Sequence, residues 1–127
     1  MNKELINLQR NSKATCAIVK TGEHKELSPA VIMSASVSNK FMYVGGLPPF
    51  AEKINKKAAK HEIVYFVITN IDKASKENQQ RFVGLVKDKH IDGYDIPNNC
   101  IVVFTVKDET TLKNIIPELY HFAVVAF

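Results

Sequence analysis

The polar residues that end an apolar run near the middle of this sequence have types and spacing that could support chemistry. The run from Ile63 to Ile68 is continuous, β-branched and aromatic, which is typical of a strand buried on both faces of a sheet. Thr69, Asn70 and Asp72 follow it, and Ser75 then opens a helical segment. We therefore expect these hydroxyl, amide and carboxyl groups at the carboxyl end of a central strand, where ligands bind in open α/β sheets.

A second candidate is a helix predicted over residues 51–60. Its lysines recur at i, i+3, i+4 and i+7, which places on one face Lys53, Lys56, Lys57 and Lys60. This face is either a solvated surface or a patch that meets an acidic protein or a phosphate backbone. No aromatic residue interleaves with the lysines, so the stacking platform of single-strand nucleic-acid binders is missing.

Other chemical constellations are not predicted. The histidines are scattered and form no i, i+4 pair, and the two cysteines, Cys16 and Cys100, fall inside predicted strands without a CxxC motif. We therefore expect no metal site and no catalytic residue. Gly45-Gly46 lacks a following Lys-Ser/Thr, so we interpret it as a turn and not as a phosphate cradle.

Length and composition indicate one domain over residues 1–127. The 46% apolar content suits a single hydrophobic core, and the net charge of +4 comes almost wholly from lysine, with two arginines at positions 10 and 81. Arginine is the usual residue for bidentate phosphate and base contacts, so the charge alone argues only weakly for nucleic acid. No apolar run reaches membrane-spanning length and no signal peptide is visible, so we expect a cytoplasmic protein without membrane contact.

The apolar periodicities predict alternating strands and helices. We expect a lead-in helix over 4–10, strands over 15–20, 41–44, 63–68, 100–106 and 122–127, and helices over 29–38, 51–60, 76–88 and 108–120. Ser28 and Pro29 are interpreted as N-cap and first helical residue, and Pro117 as a kink. Such alternation implies right-handed crossovers and a five-stranded, mainly parallel sheet in a three-layer α/β/α sandwich.

From about residue 5 to 127 the chain resembles the core of an AAA+ ATPase, a P-loop NTPase-like fold, nearest to MoxR-like and dynein-type modules. Residues 65–74, Tyr-Phe-Val-Ile-Thr-Asn-Ile-Asp-Lys-Ala, are similar to the family's second nucleotide motif, an apolar strand followed by Asp-Glu and then Ile-Asp-Lys-Ala. Residues 80–88, 90–93 and 96–99 resemble the helix and loop before the sensor strand, 101–107 resemble that strand, and 119–122 resemble the finger region.

The departures from the family pattern remove its nucleotide chemistry. Where the phosphate-binding loop is expected, residues 21–28 keep Gly22, Lys25 and Ser28 but lack Gly-Lys-Ser and carry two glutamates. Thr69-Asn70 replace the magnesium-binding Asp-Glu, while Lys107 replaces the sensor asparagine and His121 the finger arginine. We also expect no lid domain after the last strand. The resemblance thus implies a degenerate nucleotide site, with no hydrolysis, no cofactor and no ATP.

Three functions stay open at this level. The first is a non-catalytic AAA+-like domain that contacts a true ATPase, an oligomeric machine or a second copy of itself; a final apolar strand at the sheet edge would invite pairing unless a helix or loop covers it. The second is nucleotide binding without efficient hydrolysis, through Lys25, Ser28, Asp72 and Lys107 at the carboxyl end of the sheet. The third is nucleic-acid binding through the lysine-bearing helix, with a steep salt dependence.

Overall fold

The computed structural model describes residues 15–36 and 49–127. The lead-in helix predicted over 4–10 and the strand predicted over 41–44 lie outside the described residues.

Five parallel strands form the main sheet, in the order β2-β3-β6-β1-β7. Their bounds are β1 Cys16–Lys20, β2 Ala30–Ser34, β3 Val64–Thr69, β6 Cys100–Val106 and β7 Ala123–Val125, and a separate antiparallel pair consists of β4 His90–Ile91 and β5 Tyr94–Asp95. The prediction of an α/β fold with a five-stranded parallel sheet is confirmed. Continuous apolar runs mark the inner strands because these are covered on both faces, and all seven residues of β6 are buried.

The helices cover one face of the sheet. They are α1 Pro49–Lys60, α2 Lys76–Gln80, α3 Val83–Asp88 and α4 Pro117–Tyr120. Buried side chains of α1, α3 and α4, among them Ile54, Leu85 and Leu119, share one core cluster with Phe66 and Phe104 of the inner strands. The steps β2 to β3, β3 to β6 and β6 to β7 all run the same way across the sheet, so right-handed connections must lie on the same face.

The other face carries the connection from β1 to β2, which steps across the sheet in the opposite direction. Leu27 of this connection packs against a second cluster that includes Val19, Val67 and Val103. Within the described residues this connection contains the 3₁₀ turn Glu23–Glu26 and no α-helix.

The helix predicted over 29–38 is wrong. Residues Ala30–Ser34 form β2, paired in parallel with β3 so that Val31 lies level with Phe66. Val31 and Met33 point into the core while Ile32 and Ser34 are exposed, a period of two. Pairing with β3 outweighs the local Ser-Pro signal, because β3 has a ladder of backbone groups on this side that β2 satisfies.

The helix predicted over 108–120 is also wrong as a continuous element. A 3₁₀ helix spans Glu109–Asn114, and α4 begins at Pro117. Proline lacks an N–H group, which costs nothing in the first turn of a helix, so Pro117 starts the helix and does not kink it. The helix predicted over 76–88 exists as α2 and α3, which are separated at residues 81–82.

Asp92-Gly93, a residue pair typical of turns, forms the tip of the β4–β5 hairpin. Both residues have positive φ, 51° and 81°, as the two central residues of a type I′ turn require. The hairpin is attached to α1 because the Tyr94 hydroxyl donates to Asn55 Oδ1 at 2.6 Å.

Candidate functional site

Most of the predicted site residues do meet at the carboxyl ends of the strands. Gly22 follows β1, Thr69 ends β3, Asn70 and Asp72 follow it, and Lys107 follows β6. The strands β3, β6 and β1 are neighbours and parallel, so their carboxyl ends share one edge of the sheet.

Two predicted residues lie at the opposite edge. Ser28 comes two residues before β2, and His121 comes two residues before β7, so both are near amino ends of strands. The prediction that placed Ser28 with the other polar groups at the carboxyl end is therefore wrong. It depended on a helix after β1, and without that helix residues 27–30 run toward the start of β2. Lys25 lies between the two edges, in the 3₁₀ turn Glu23–Glu26.

A small hydroxyl and amide cluster, which we call the Thr-Asn-Thr cluster, consists of Thr21, Asn70 and Thr105. The Thr21 hydroxyl lies 3.2 Å from Asn70 Oδ1 and 3.1 Å from the buried Thr105 Oγ1. The backbone N–H of Asn70 donates to Thr105 Oγ1 at 2.9 Å. Asn70 adopts the left-handed conformation, φ 58° and ψ 46°, which asparagine tolerates better than most residues. The polar groups that follow β1 and β3 thus bond to each other and to β6.

In the loop after β1, three backbone N–H groups donate hydrogen bonds to other groups of the same loop. The N–H of Gly22, whose φ is 101°, donates to His24 Nδ1 at 3.1 Å. The N–H of Lys25 donates to the Gly22 carbonyl at 3.2 Å, and that of Leu27 to the His24 carbonyl at 3.0 Å. A phosphate-binding loop needs such N–H groups free at the start of a helix. Here they are used internally, and a strand follows the loop.

His24 is the residue that sequence reasoning missed in this loop. Its ring is buried, and burial together with the nearby Lys25 ammonium lowers the pKa of His24 below its ordinary value. A lowered pKa keeps the ring neutral near pH 7, as Nδ1 must be in order to accept the hydrogen bond from Gly22. The sequence carries only a weak signal, since a single histidine in a polar connection does not indicate a buried ring.

Asp72 is buried and has a structural partner. It is 8% exposed, and its Oδ2 accepts a hydrogen bond from the backbone N–H of Lys107 at 3.1 Å. This bond ties the 3₁₀ turn Ile71–Lys73 to the end of β6. Its Oδ1 is buried without a hydrogen-bond partner in the part of the chain that the structure describes. The carboxylate therefore faces inward and holds two loops together.

Gln79 performs a similar task behind the carboxyl edge, and sequence reasoning missed it as well. The side chain is 1% exposed, donates to the carbonyls of Ala74 and Asn114, and accepts from the N–H of Ile116. It joins α2 to the chain between the 3₁₀ helix Glu109–Asn114 and α4. The available signal was its position three residues before Phe82, on the core-facing side of the predicted helix.

The four lysines of α1 lie together on one side of the helix, as predicted. Lys53, Lys56 and Lys60 are exposed and Lys57 is half-buried, while Ala51 and Ile54 on the opposite side are fully buried. Among residues 15–36 and 49–127, no carboxylate lies within ion-pair distance of these lysines. We call the set Lys53, Lys56, Lys57 and Lys60 the lysine face.

The two thiols are enclosed in the core. Burial raises the pKa of Cys16 to about 12 and is also the main cause that raises the pKa of Cys100 to about 12. Neither is a thiolate near neutral pH, so neither can serve as a nucleophile. The described residues contain no group of three or more histidine, cysteine, aspartate or glutamate side chains placed to hold a metal ion. They also contain no helix with the length and apolarity needed to cross a membrane.

Neither the protein-family models nor the curated proteins that were compared with the chain give a match. The AAA+ resemblance stays a prediction that depends on the motifs quoted above.

Proposed function

We propose that this chain is a non-catalytic, AAA+-like α/β domain that acts by contacting other proteins. The observation that carries the proposal is that the polar groups at the carboxyl edge of the sheet are hydrogen-bonded to one another. In open α/β sheets this edge is where ligands bind.

Phosphate binding has little support at this edge. A triphosphate needs several free N–H groups and a cation, and the dipole of a following helix adds to its binding. The Gly22 N–H is taken by His24, the loop forms a 3₁₀ turn of four residues, and it carries Glu23 and Glu26 beside Lys25. Carboxylates in such a loop would repel a polyanion.

Metal-assisted hydrolysis has equally little support. Magnesium is held by carboxylate and phosphate oxygens, and Thr69-Asn70 supply no charge. The nearest acidic residue in the chain, Asp72, is buried against the Lys107 N–H. Of the four groups expected for nucleotide binding without hydrolysis, Ser28 is at the other edge and Asp72 faces inward, so the set does not converge.

Surface features support protein contact. β7 is the last strand in the described order of the sheet, and its three residues are half-buried apolar side chains. Tyr120 just before it is 45% exposed. A partner strand or a second copy of this chain could use this edge, because an edge strand presents backbone donors and acceptors for pairing. A true ATPase or another oligomeric assembly is the partner class that the family resemblance suggests.

Four measurements test the proposal. Isothermal titration with ATP and Mg²⁺ is expected to give no binding heat at millimolar nucleotide. Sedimentation velocity of the purified chain, and crosslinking of two differently tagged copies expressed together, report self-association. Crosslinking in the source cells followed by mass spectrometry reports a stoichiometric foreign partner. Magnesium-dependent ATP binding would overturn the proposal, and so would a chain that is strictly monomeric and crosslinks to nothing.

A further inference from the structure

Among residues 15–36 and 49–127, positive charge is concentrated on α1. This helix has four lysines and one glutamate, a net +3, whereas the whole chain has +4. The described residues outside α1 carry nine basic and eleven acidic side chains, a net −2, so the lysine face is the main source of positive potential in the described part of the chain.

This arrangement is unfavourable for the helix by itself. Like charges three and four residues apart repel, as in Lys53 with Lys57 and Lys56 with Lys60. The helix dipole favours Lys57 and Lys60 in the last turn, but it does not account for Lys53 and Lys56. Glu52, four residues before Lys56, is the one acidic residue of the helix, and among the described residues no carboxylate forms an ion pair with any of the four lysines. If these lysines only faced solvent, glutamates between them would make the helix more stable.

The helix that presents the lysine face is firmly held on its other side. Phe50 stacks on Phe66 with ring centroids 5.5 Å apart, and Tyr94 bonds to Asn55 at 2.6 Å. At the carboxyl end, Asn99 Nδ2 donates to the carbonyls of Ala58 and His61 at 3.0 Å each. The backbone positions of the four lysines are thus fixed along a line about 10 Å long, since a helix rises about 1.5 Å per residue.

We infer that the lysine face docks an acidic helical segment of a partner protein. Carboxylates spaced i, i+3, i+4 and i+7 on that segment would match the spacing of the lysines, as paired charges do along adjacent helices. The inference deepens the proposed function and rests on it, because the partner is a protein. A protein is favoured over nucleic acid because the face has no arginine for bidentate phosphate contact and no aromatic ring for base stacking.

The test is a titration of the ¹⁵N-labelled chain followed by amide chemical shifts, with three probes. One is an alanine-based helical peptide with four glutamates at i, i+3, i+4 and i+7. The second has the same composition with the glutamates distributed around the helix, and the third is a single-stranded oligonucleotide. We expect shifts confined to residues 53–60 with the first peptide, and binding weaker by about fivefold or more with the second.

Two charge-matched variants provide the control. Replacing all four lysines of the lysine face by glutamate should abolish peptide binding. The same change at four other exposed lysines, Lys73, Lys76, Lys87 and Lys113, should leave most of it, although the net charge is identical. If the first variant fails to fold, glutamine replacements at the lysine face serve the same purpose.

Tighter binding of the oligonucleotide at α1, equal binding of both peptides, absence of binding, or equal losses in the two variants would each overturn the inference. Absence of peptide binding together with absence of ATP binding would remove this inference alone. Magnesium-dependent ATP binding would instead remove the proposed function.

Discussion

Replacement of Gln79 by alanine should strongly destabilise the protein. The side chain is 1% exposed and makes three hydrogen bonds to backbone groups in two separate segments. Its donor–acceptor distances are 3.1 Å to Ala74, 2.9 Å to Asn114 and 2.8 Å from Ile116. Alanine can make none of these bonds, so two carbonyls and one N–H group lose a partner in the interior.

The expected loss follows from those three groups. Leaving one buried polar group unsatisfied costs about 1–3 kcal/mol. Partial relaxation and entry of a water molecule into the space would recover some of the sum, so we expect unfolding to be easier by about 3–5 kcal/mol. Small domains are stable by about 5–15 kcal/mol, and the variant would therefore lose a large share of its stability.

Urea unfolding followed by far-ultraviolet circular dichroism measures this difference. Gln80→Ala is the matched control, because Gln80 is the next residue of the same helix and is exposed. We expect the control to change stability by less than about 0.5 kcal/mol. A Gln79→Ala variant within about 1 kcal/mol of the unmodified chain would refute the reasoning, since it would mean that the three bonds do not hold the segments together.

Three further predictions concern titration, thiols and the hairpin. Burial lowers the pKa of His24, so as the pH falls the imidazole is protonated in the unfolded chain before it is protonated in the folded one, and stability should fall below about pH 6.5. The thermal unfolding midpoint should fall less between about pH 7.5 and 5.5 in His24→Asn than in the unmodified chain, and equal falls in the two proteins would contradict the assignment. Cys16 and Cys100, with pKa values raised to about 12, should not react with a disulfide reagent in the native protein at pH 8, whereas both should react in guanidinium; a rapid native reaction would contradict their burial. Asp92→Asn should lower stability by about 0.5–1 kcal/mol, because it removes the charge that pairs with Arg81 at the tip of the hairpin; a denaturation midpoint equal to that of the unmodified chain would show that the pair contributes nothing.

Part of the candidate site could be predicted from residue order alone. In a parallel sheet the residues after each strand share one edge, so Thr69, Asn70 and Asp72 were expected beside the end of a central strand, and they are there. The spacing of the lysines likewise predicted their common face on α1. Both results depend only on the period and direction of elements that the apolar pattern identifies well.

Other parts of the site could not be predicted, because they depend on which strands pair. The Ser28-Pro29 signal is a sound helix start by local rules, yet residues 30–34 gain more by completing the ladder beside β3. Because a strand forms there, the loop after β1 does not lead into a helix whose N-terminus could bind a phosphate. The Gly22 N–H then donates to His24 Nδ1, and Ser28 lies at the opposite edge of the sheet, before β2.

By itself the sequence determined that β3 and β6 are buried strands, that α1 has one charged and one apolar face, and that Asp92-Gly93 turns the chain. These features come from side-chain pattern and backbone preference within a few residues. Only the tertiary structure decided that the residues of the Thr-Asn-Thr cluster form hydrogen bonds with one another, that Asp72 faces inward and that Gln79 joins two segments. Those outcomes arise from hydrogen bonds between residues 35 or more positions apart, which no local pattern specifies.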